Sequence, residues 1–554
     1  MLKNRFVPYA LLALSQGVFA QQMPSAGSQM QQIPPAPNAQ KLQPNVEFKP
    51  GNTLSVAESD RVKINVRTLR VTGAQVYSEA ELLSLTGFIS GSDLTLTDLR
   101  GMAAKIADYY HRNGYFVAQA YLPAQDIKDG VVTIAVIDGH YGKVTMNNQT
   151  KVSNELTDGL MGGINSGDLV TSAPLENRLL LLSDLPGVKV NSTLSPGASP
   201  GTSDLLVDLT PGRSVSGSVD ADNAGNRYTG QNRIGATINL NEPFGHGDVA
   251  SLRVLTSGPG LRYARGSYQM QFGKATAGVA YSALAYELGE EFASLQANGT
   301  AKVASIYGSY PLNRSRNDNL YAGLIFDAKT FQDKVDTTAS VSDKTAKVLT
   351  ASLNGEHRDY LGGGGVTNYS LAWSTGEIDL QTPSVQAVDA VTAQSNGHFD
   401  KLWFGLSRLQ QVSDNVSIYG ALSGQLASKN LDVSEKMELG GMYGVRAYPE
   451  GEAYADSGYL LTLEARLALP QFSGQNGQVQ LIAFVDTGSV TLNKSPWLAG
   501  VNQRVLSGAG VGINWSEANN FMVRAYYAVK VGDEVATSAP DASGRFWIQA
   551  VKYF

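Results

Sequence analysis

Apolar and polar residues alternate along most of the chain, from about residue 213 to Phe554. The alternating segments are roughly 10–14 residues long, and a period of two predicts β-strands whose successive side chains face opposite sides of a sheet. Clusters of Gly, Asn, Asp and Pro separate them. About sixteen segments occur, near residues 214–225, 233–243, 248–257, 261–273, 275–288, 299–310, 319–333, 345–359, 366–380, 398–412, 415–428, 457–469, 477–493, 504–517, 520–531 and 544–554.

The segment Gln478–Asp486 shows what the two faces of such a strand would contact. Its outward-facing residues would meet lipid, and its polar residues would face inward together with two apolar ones. The outward group is Val479, Leu481, Ala483 and Val485, and the inward group is Gln478, Gln480, Ile482, Phe484 and Asp486. A soluble all-β sandwich would show the same period, but small and polar residues fill one face so often that the interior should be wet. We therefore predict a transmembrane β-barrel of about 16 antiparallel strands, an even number that suits a single bacterial chain.

A unit of mixed helical and strand periodicity is predicted at residues 61–139. Alternation over Val62–Val71 indicates a strand, although its phase slips between Val66 and Leu69. The following elements are helices at about 78–85 and 96–110 and strands at 116–122 and 131–137. The order is therefore β-α-α-β-β.

A second unit at residues 140–212 repeats this order. Its helices are predicted at 152–161 and about 175–182, and a hairpin follows over 188–209. The leucines of the second helix recur at helical spacing and should form the core. An exposed strand edge or a helix–strand groove in this unit could accept an extended polypeptide by backbone hydrogen bonding.

The amino terminus predicts export. Residues 1–20 combine a positive start, an apolar centre over Phe6–Leu14 and a small-residue exit at Ala20, which is the pattern of a secretory signal peptide. Residues 21–60 form a Pro/Gln-rich linker with few large apolar groups, in which only Ser25–Ile33 could be helical. No stretch reaches the roughly 18 apolar residues of a membrane-spanning helix.

Composition gives no sign of enzyme chemistry or of nucleic-acid binding. The net charge of -6 offers no basic footprint for nucleic acid, and the chain has no cysteine. The five histidines are scattered without metal-ligand spacing. No nucleophile elbow or P-loop occurs. We therefore expect no catalytic residue, no metal and no cofactor.

One long connection, residues 431–456, lacks strand periodicity and contains the sequence GGMYGVRAYPEGE. Its glycines allow sharp turns and its proline fixes one φ angle, so the loop can fold as a compact hairpin with Arg446 at its tip. Taken alone, an arginine on a loop is usually a solvated charge. We predict that Arg446 enters the barrel lumen and is held by Asp486 on a later strand. The accompanying loop residues are Gly444, Val445, Tyr448 and Gly451, and the strand residues are Phe484 and Gly488.

This VRxY loop followed by an FxDxG strand resembles the two-partner-secretion outer-membrane transporters, the TpsB family of haemolysin secretion/activation proteins. Ala447 stands where that family usually has a glycine. The sequence YLPAQDIKDGVVTIAVIDG, Tyr121–Gly139, resembles the first POTRA domain of the family, and Glu176–Leu209 resembles the second. The resemblance covers nearly the whole chain after about residue 55.

Membership in this family would imply an outer-membrane pore with porin activity and periplasmic POTRA domains. These domains would recognise an unfolded partner exoprotein, which the barrel then translocates to the cell surface. The partner would be a large adhesin, haemolysin, contact-dependent toxin or haem-scavenging protein. The family also has a short helix near the amino terminus that plugs the pore.

The last strand resembles the signal by which the barrel assembly machinery recognises outer-membrane proteins. Phe554 is the terminal aromatic residue, and apolar residues precede it at alternate positions, with Lys552 as a departure. Outer-membrane lipid and this machinery are therefore expected partners. The alternative is an outer-membrane protein insertion factor of the same superfamily, which usually carries three or more POTRA domains. A passive porin would lack the two units, and a soluble envelope module would fractionate with the periplasm.

Overall fold

The computed structural model describes residues 23–37, 45–48, 62–471 and 476–554. The predicted signal peptide at residues 1–20 lies outside the described residues, as does most of the predicted linker. No helix among the described residues is both long enough and apolar enough to cross a membrane.

Sixteen antiparallel strands form a closed barrel, which confirms the predicted number and class. Each strand pairs with its neighbours in sequence, and the last strand pairs with the first. The strands are β10 (Val215–Asp222), β11 (Arg233–Asn241), β12 (Val249–Thr256), β13 (Leu261–Phe272), β14 (Ala275–Glu287), β15 (Ala297–Arg314), β16 (Asp318–Val335), β17 (Ser340–Asp359), β18 (Gly365–Leu380), β19 (Gly397–Gln411), β20 (Val416–Ala427), β21 (Ser457–Ala468), β22 (Gln478–Thr491), β23 (Gln503–Glu517), β24 (Phe521–Lys530) and β25 (Gly544–Tyr553). The strands β1–β9 belong to the segments that precede the barrel.

The two faces of β22 are those that the alternation predicts. Leu481 and Val485 are exposed on the outside, whereas Ile482, Phe484 and Asp486 are buried on the inside. The connection between β18 and β19 contains a helix that the sequence did not predict, α6 (Pro383–Val391). It begins with proline at its first position, where the missing N–H would have no partner in a helix.

The first α+β unit contains five short strands and two helices. They are β2 (Lys63–Val66), β3 (Thr68–Thr72), α2 (Glu79–Thr86), β4 (Ser92–Thr95), α3 (Leu96–Arg112), β5 (Gln119–Tyr121) and β6 (Val131–Ile137). The single strand predicted over residues 62–71 is wrong, because the chain changes sheets where the phase slips. Strand β2 pairs with β4, whereas β3 joins the sheet β3-β6-β5.

The second unit has the predicted order of elements. It consists of β7 (His140–Asn148), α4 (Asn154–Met161), α5 (Ser172–Ser183), β8 (Val188–Pro196) and β9 (Thr202–Pro211). The predicted core leucines of α5 are buried. Residues of the predicted linker add a further strand, β1 (Asn45–Phe48), which pairs in parallel with β8 from Asn191 to Leu194. The chain therefore covers the edge of β8 with its own backbone, and β7 lies at the other edge of the sheet β1-β8-β9-β7.

The second unit docks against the end of the barrel at which β10 begins, here called the near end. Arg314 and Asp184 form a bidentate ion pair with N–O distances of 2.7 and 3.0 Å. The backbone N–H of Ser153 donates to Gly245 O at 3.0 Å in the turn between β11 and β12. These contacts fix the second unit beside two connecting turns of the barrel.

A short helix, α1 (Ala26–Gln31), occupies the barrel lumen. The backbone N–H of Ala26 donates to Asp333 on β16 at 2.7 Å, and the hydroxyl of Thr229 donates to Gln29 at 2.7 Å. Both Ala26 and Gln29 are fully buried. The helix lies within the stretch that the sequence marked as the only helical part of the linker.

Candidate functional site: the lumen loop and its contacts with the barrel wall

The connection between β20 and β21 folds back into the barrel as a hairpin. Met437 and Ala455 exchange two backbone hydrogen bonds of 2.9 Å, and the N–H of Leu439 donates to Glu452 O at 3.1 Å. The N–H of Gly441 then donates to Tyr448 O at 3.2 Å. Because the two arms satisfy each other's backbone groups, the loop can enter the lumen without leaving them unpaired.

Glycine is required at particular positions in this hairpin. Gly441 and Gly451 have φ angles of 95° and 83°, which L side chains rarely adopt. A Cβ on Gly444 would collide with the carbonyl oxygen of Leu439. Ala447 has no positive φ, so the glycine usual in the family is not needed there.

Space for the methyl group of Ala447 comes from the facing barrel strand. A Cβ on Gly508 of β23 would lie only 2.5 Å from the Cβ of Ala447. Side chains that meet face to face in a packed interior must share the available volume. The glycine in the wall therefore compensates for the alanine in the loop.

The tip of the hairpin places Arg446 against Asp486, as the sequence predicts. The Arg446 Nε and Nη2 atoms each donate to a different oxygen of Asp486 at 2.8 Å. The backbone N–H of Arg446 adds a bond of 3.2 Å to the same carboxylate. Asp486 is 0% exposed and Arg446 is 4% exposed. This is a bidentate, desolvated ion pair, the geometry that makes arginine–carboxylate contacts strong and directional.

A second carboxylate, which the sequence analysis missed, completes the site. Arg446 Nη1 donates to Glu464 on β21 at 2.8 Å, and Arg466 holds the other oxygen of Glu464 at 2.7 and 2.9 Å. Thr462 donates to Asp486 at 3.0 Å. Two guanidinium groups thus face two carboxylates, so the buried cluster is neutral overall. The only sequence feature that could have indicated Glu464 is its spacing, because residues 462, 464 and 466 share one face of a strand.

Aromatic rings enclose the guanidinium group of Arg446. Its Cζ atom lies 3.4 Å from the ring centre of Phe484 and 4.9 Å from that of Tyr526. The indole N–H of Trp547 donates to Arg446 O at 2.7 Å. A cation stacked on ring faces away from water gains electrostatic attraction from the rings. Phe484, one of the predicted strand residues, therefore contacts Arg446 directly. Tyr526 and Trp547 also contact Arg446, and they lie on β24 and β25, which the sequence did not connect with the loop.

The other predicted site residues lie around this cluster. Val445 and Tyr448 are fully buried, and the Tyr448 hydroxyl donates to Glu534 O at 3.0 Å. A side chain at Gly488 would collide with Leu439 of the loop. Phe554 is separate from the cluster, and its backbone exchanges two hydrogen bonds of 3.1 Å with Gly217 of β10.

A second buried anchor fixes the returning arm of the hairpin. Glu452 is 0% exposed and pairs with Arg504 of β23. It also accepts bonds from the backbone N–H groups of Thr537 and Ser538 at 2.8–3.0 Å. These residues lie between β24 and β25. The loop is therefore tied to several strands of the wall and to a further connection.

The helix α1 contacts this loop from the other side. Gln32, which follows the helix, donates to Glu438 at 3.4 Å and to the Tyr454 hydroxyl at 2.5 Å. Its carbonyl oxygen accepts a bond of 3.0 Å from Arg233 of β11. The described residues contain no cluster of three or more metal-ligating side chains. The helix and the loop together occupy the lumen of the barrel.

Solved structures share this architecture. The chain resembles CdiB from Escherichia coli with a TM-score of 0.67 over 91% of this chain and 93% of CdiB, at 19% identity. It also resembles BamA from Haemophilus ducreyi lacking POTRA domains 1–3, with a TM-score of 0.54 at 15% identity, over 88% of this chain and 100% of that one. The class that this likeness defines is a fold: a closed 16-stranded β-barrel preceded by α+β units.

Sequence comparison identifies the family within this class. Residues 201–515 match the haemolysin secretion/activation proteins ShlB/FhaC/HecB, and residues 64–139 match the POTRA domain of the ShlB type. The chain belongs to this family. It is 29% identical over 469 residues to the heme/hemopexin transporter protein HuxB of Haemophilus influenzae, covering 84% of this chain and 82% of HuxB.

The barrel accordingly lies in the outer membrane, with the POTRA domains and the near end in the periplasm. The protein is a transporter that moves a partner exoprotein across this membrane. The likeness to BamA extends to the fold alone, so it gives no support to the alternative of an insertion factor.

Proposed function

We propose that the partner exoprotein first binds at the edge of β8, in the place that β1 occupies. A strand edge accepts any extended polypeptide through its backbone groups, largely independent of sequence. The four residues of β1 pair in parallel with β8, and parallel pairs are slightly weaker per residue than antiparallel ones. A longer segment of an unfolded partner can therefore displace β1.

Displacement of β1 would also release the helix α1. The two lie on one stretch of chain, and α1 is held in the lumen by polar contacts with Asp333, Thr229 and Glu438. Once β1 is displaced, water can replace these hydrogen bonds. The loop around Arg446 would stay, because its ion pairs are buried. With the helix gone, the pore would show porin activity and could admit an extended chain.

The partner is proposed to be a large secreted exoprotein of the adhesin, haemolysin, contact-dependent toxin or haem-scavenging type. The relative HuxB is named a heme/hemopexin transporter, which supports the haem-scavenging type among these. The periplasm offers no nucleotide, so the partner's folding outside would make return unfavourable. No enzymatic step is needed in this scheme.

We also propose a division of the chain into domains. Residues 1–20 would be the signal peptide, 61–139 and 140–212 the two POTRA domains, and 213–554 the barrel with the lumen loop at 431–456. Lipid would contact the apolar outer face, where Leu481 and Val485 are exposed. The barrel assembly machinery would recognise the final strand with Phe554.

The pairing of β1 with β8 carries this proposal, and a disulfide lock tests it. Glu47 and Thr193 are register partners, and the native chain has no cysteine. In the double variant Glu47→Cys/Thr193→Cys, we expect oxidation to reduce secretion of a co-expressed candidate exoprotein strongly. A reducing agent should restore secretion, because the lock is then open.

The two single-cysteine variants are the matched controls, and both should secrete normally under oxidation. If the oxidised double variant secretes the exoprotein at the wild-type rate, the partner does not need to displace β1 from the edge of β8, and the proposal is refuted. Candidate exoproteins are best taken from neighbouring reading frames that encode very large exported proteins.

A further inference from the structure

The tip of the lumen loop faces a cavity of about 590 Å³ in the periplasmic half of the barrel. Its wall comes from β17–β21 and β24, and Tyr443, Gly444 and Arg446 of the loop line its other side. Arg466 and Arg524 lie close to the periplasmic ends of β21 and β24. None of the described residues of α1 lines this cavity, so the helix does not fill it.

The side chains that line this cavity carry more positive than negative charge. Three of them are arginines, Arg446, Arg466 and Arg524, whereas Glu464 is the only carboxylate among the described residues of the lining. Arg446 and Arg466 both bond to Glu464, and Arg446 also pairs with Asp486 on the adjacent strand β22. Two carboxylates thus balance two arginines. Arg524 remains as a positive charge that has no carboxylate partner among the described residues.

Neutral groups hold the guanidinium group of Arg524 in place. Its Nε donates to Gln549 Oε1 on β25 at 2.8 Å, and its Nη2 donates to the Tyr443 hydroxyl at 3.3 Å. Its Cζ atom lies 5.3 Å from the ring centre of Tyr443. A guanidinium group has five N–H donors. The described residues accept two of them from Arg524, so three donors on its two Nη atoms remain for a ligand.

The hydroxyl group of Tyr443 is a second donor at the same place. It accepts one bond from Arg524 and another, of 3.0 Å, from Gln549 Nε2. Because these two bonds use the acceptor capacity of the oxygen, its own proton is left to donate. Tyr443 is 50% exposed, although the loop residues on either side of it are buried. Arginine and phenol donors are thus available together to one acceptor in the cavity.

The rest of the lining consists mainly of aromatic rings and neutral polar groups. Trp403 of β19 is 39% exposed, and a Cβ on Gly405 would lie 2.7 Å from its ring, so the ring lies along the wall. The Cζ atom of Arg466 lies 4.5 Å from the ring centre of Tyr419. The neutral polar side chains are those of Asn354, Asn368, Ser370, Ser407 and Ser423. Such a surface can contact a peptide backbone without selecting a particular sequence.

We propose that Arg524 and Tyr443 form a carboxylate-binding site for acidic side chains of an unfolded polypeptide in the lumen. A guanidinium group with free donors on both Nη atoms matches the two oxygens of a carboxylate. An excess of positive charge in a confined cavity also attracts acidic segments more strongly than neutral ones. This inference rests on the proposed function for the origin of the polypeptide, which is the exoprotein in transit.

The experiment measures binding of a fluorescent hexaglutamate peptide to the purified full-length protein in detergent, by fluorescence anisotropy at low salt. A hexaglutamine peptide with the same label is the neutral reference. We expect the wild type to bind hexaglutamate about tenfold more tightly than hexaglutamine, the effect of a single charge-assisted hydrogen bond. Arg524→Gln should lose most of this preference. Arg524→Lys should keep part of it, because the charge remains while the two-pronged geometry is lost.

Arg265→Gln is the matched control. Arg265 of β13 lines a different cavity of the lumen, of about 570 Å³, and like Arg524 it bonds to a neutral partner, Ser282 at 3.5 Å. Both substitutions remove one positive charge from the lumen, but only Arg524→Gln removes it from the proposed site. Arg265→Gln should therefore bind hexaglutamate as the wild type does. Tyr443→Phe should weaken binding less than Arg524→Gln, because only the hydroxyl group is lost.

Heat-modifiable electrophoretic migration verifies that each variant is a folded barrel. Equal affinity of the wild type and Arg524→Gln for hexaglutamate would overturn the proposal. An equal loss in Arg265→Gln would assign the binding to the overall charge of the lumen, and equal binding of hexaglutamine would assign it to the rings and the backbone. Either result would also overturn the site. Since the peptides are added directly, failure of the exchange at β8 would leave this measurement unaffected.

Discussion

Arg446 is the residue at which the loop and the barrel wall meet. All of its polar groups are satisfied, by Asp486, Glu464 and Trp547, and its flat face lies on Phe484. Exposed ion pairs contribute about 0–1 kcal/mol. This pair is buried, so the loss of either partner leaves the neutral cluster of two arginines and two carboxylates with an uncompensated charge in a confined lumen. The position of the whole hairpin thus depends on a few atoms.

We predict that Arg446→Ala or Asp486→Ala cuts secretion sharply while the barrel still inserts. The physical reason is that breaking a buried pair costs about 3–5 kcal/mol, enough to release the tip of the hairpin. Secretion is measured in the culture medium, and insertion by heat-modifiable electrophoretic migration. Exchange of the two charges, Arg446→Asp/Asp486→Arg, should partly restore secretion if the contact is direct. Wild-type secretion from both alanine variants would contradict this role.

At the scale of elements, the turn between β11 and β12 joins the barrel to the second POTRA domain. Glu242 in this turn is 6% exposed and has a φ of 55°, a strained backbone for a side chain of its size. Burial, and then the neighbouring Asp248, raise the pKa of Glu242 to about 7. A Cβ on Gly187 of the domain would lie 3.7 Å from Glu242 Cγ, so the carboxyl group lies at the docked interface.

The contact between the second POTRA domain and the barrel should therefore weaken as the pH rises. The pKa of Glu242 is raised in the folded state, so its proton is bound more tightly there than in the free turn. Stability is highest below about pH 4.5, falls as the pH rises to about 7, and changes little above that. The total effect should stay below about 3 kcal/mol, since one pKa unit corresponds to about 1.4 kcal/mol and solvent screening reduces it.

Limited proteolysis at the junction near residue 212 measures this dependence. The wild type should be cut faster at pH 7.5 than at pH 5 after correction for the protease's own pH profile. Glu242→Gln, which cannot ionise, should show a flat profile. The same profile in both proteins would assign the pH dependence to another group.

At the scale of the whole molecule, the barrel closes at its shortest seam. Strands β10 and β25 share five register pairs, from Ser218 opposite Tyr553 to Asp222 opposite Gln549. Phe554 extends this seam by two backbone hydrogen bonds with Gly217, and its ring lies where a side chain on Gly217 would be. Closure removes the free strand edges that lipid cannot satisfy. The terminal residue therefore belongs to the closing contact itself.

We predict that Phe554→Ala lowers the amount of folded barrel in the outer membrane. The variant loses the ring that covers Gly217 at the seam and the aromatic end of the proposed assembly signal. The matched control is Phe272→Ala, an exposed aromatic residue at the near end of β13. Equal loss in both variants would point to a general effect of aromatic residues at the membrane surface.

The sequence by itself determined the barrel, the number of its strands and the order of elements in the second POTRA domain, whereas in the first it missed β4 and the division of the opening strand into β2 and β3. Side-chain alternation decides these features, because a strand between lipid and a wet lumen must carry both faces in its own residues. The pair of Arg446 and Asp486 was also accessible, since a glycine-rich loop and an FxDxG strand mark it locally. The helical stretch near Ser25 could be located, whereas a place in the lumen was implied only by the resemblance to the family.

Only the tertiary structure decided which residues complete these sites. Glu464, Trp547 and Arg504 lie on strands far apart in sequence, and closure of the barrel brings them to one loop. No local pattern distinguishes an arginine such as Arg504 from a solvated one. The same holds for β1, whose four residues gain strand structure from the edge of β8. Long-range pairing, unlike alternation, is a property of two segments and appears in neither of them alone.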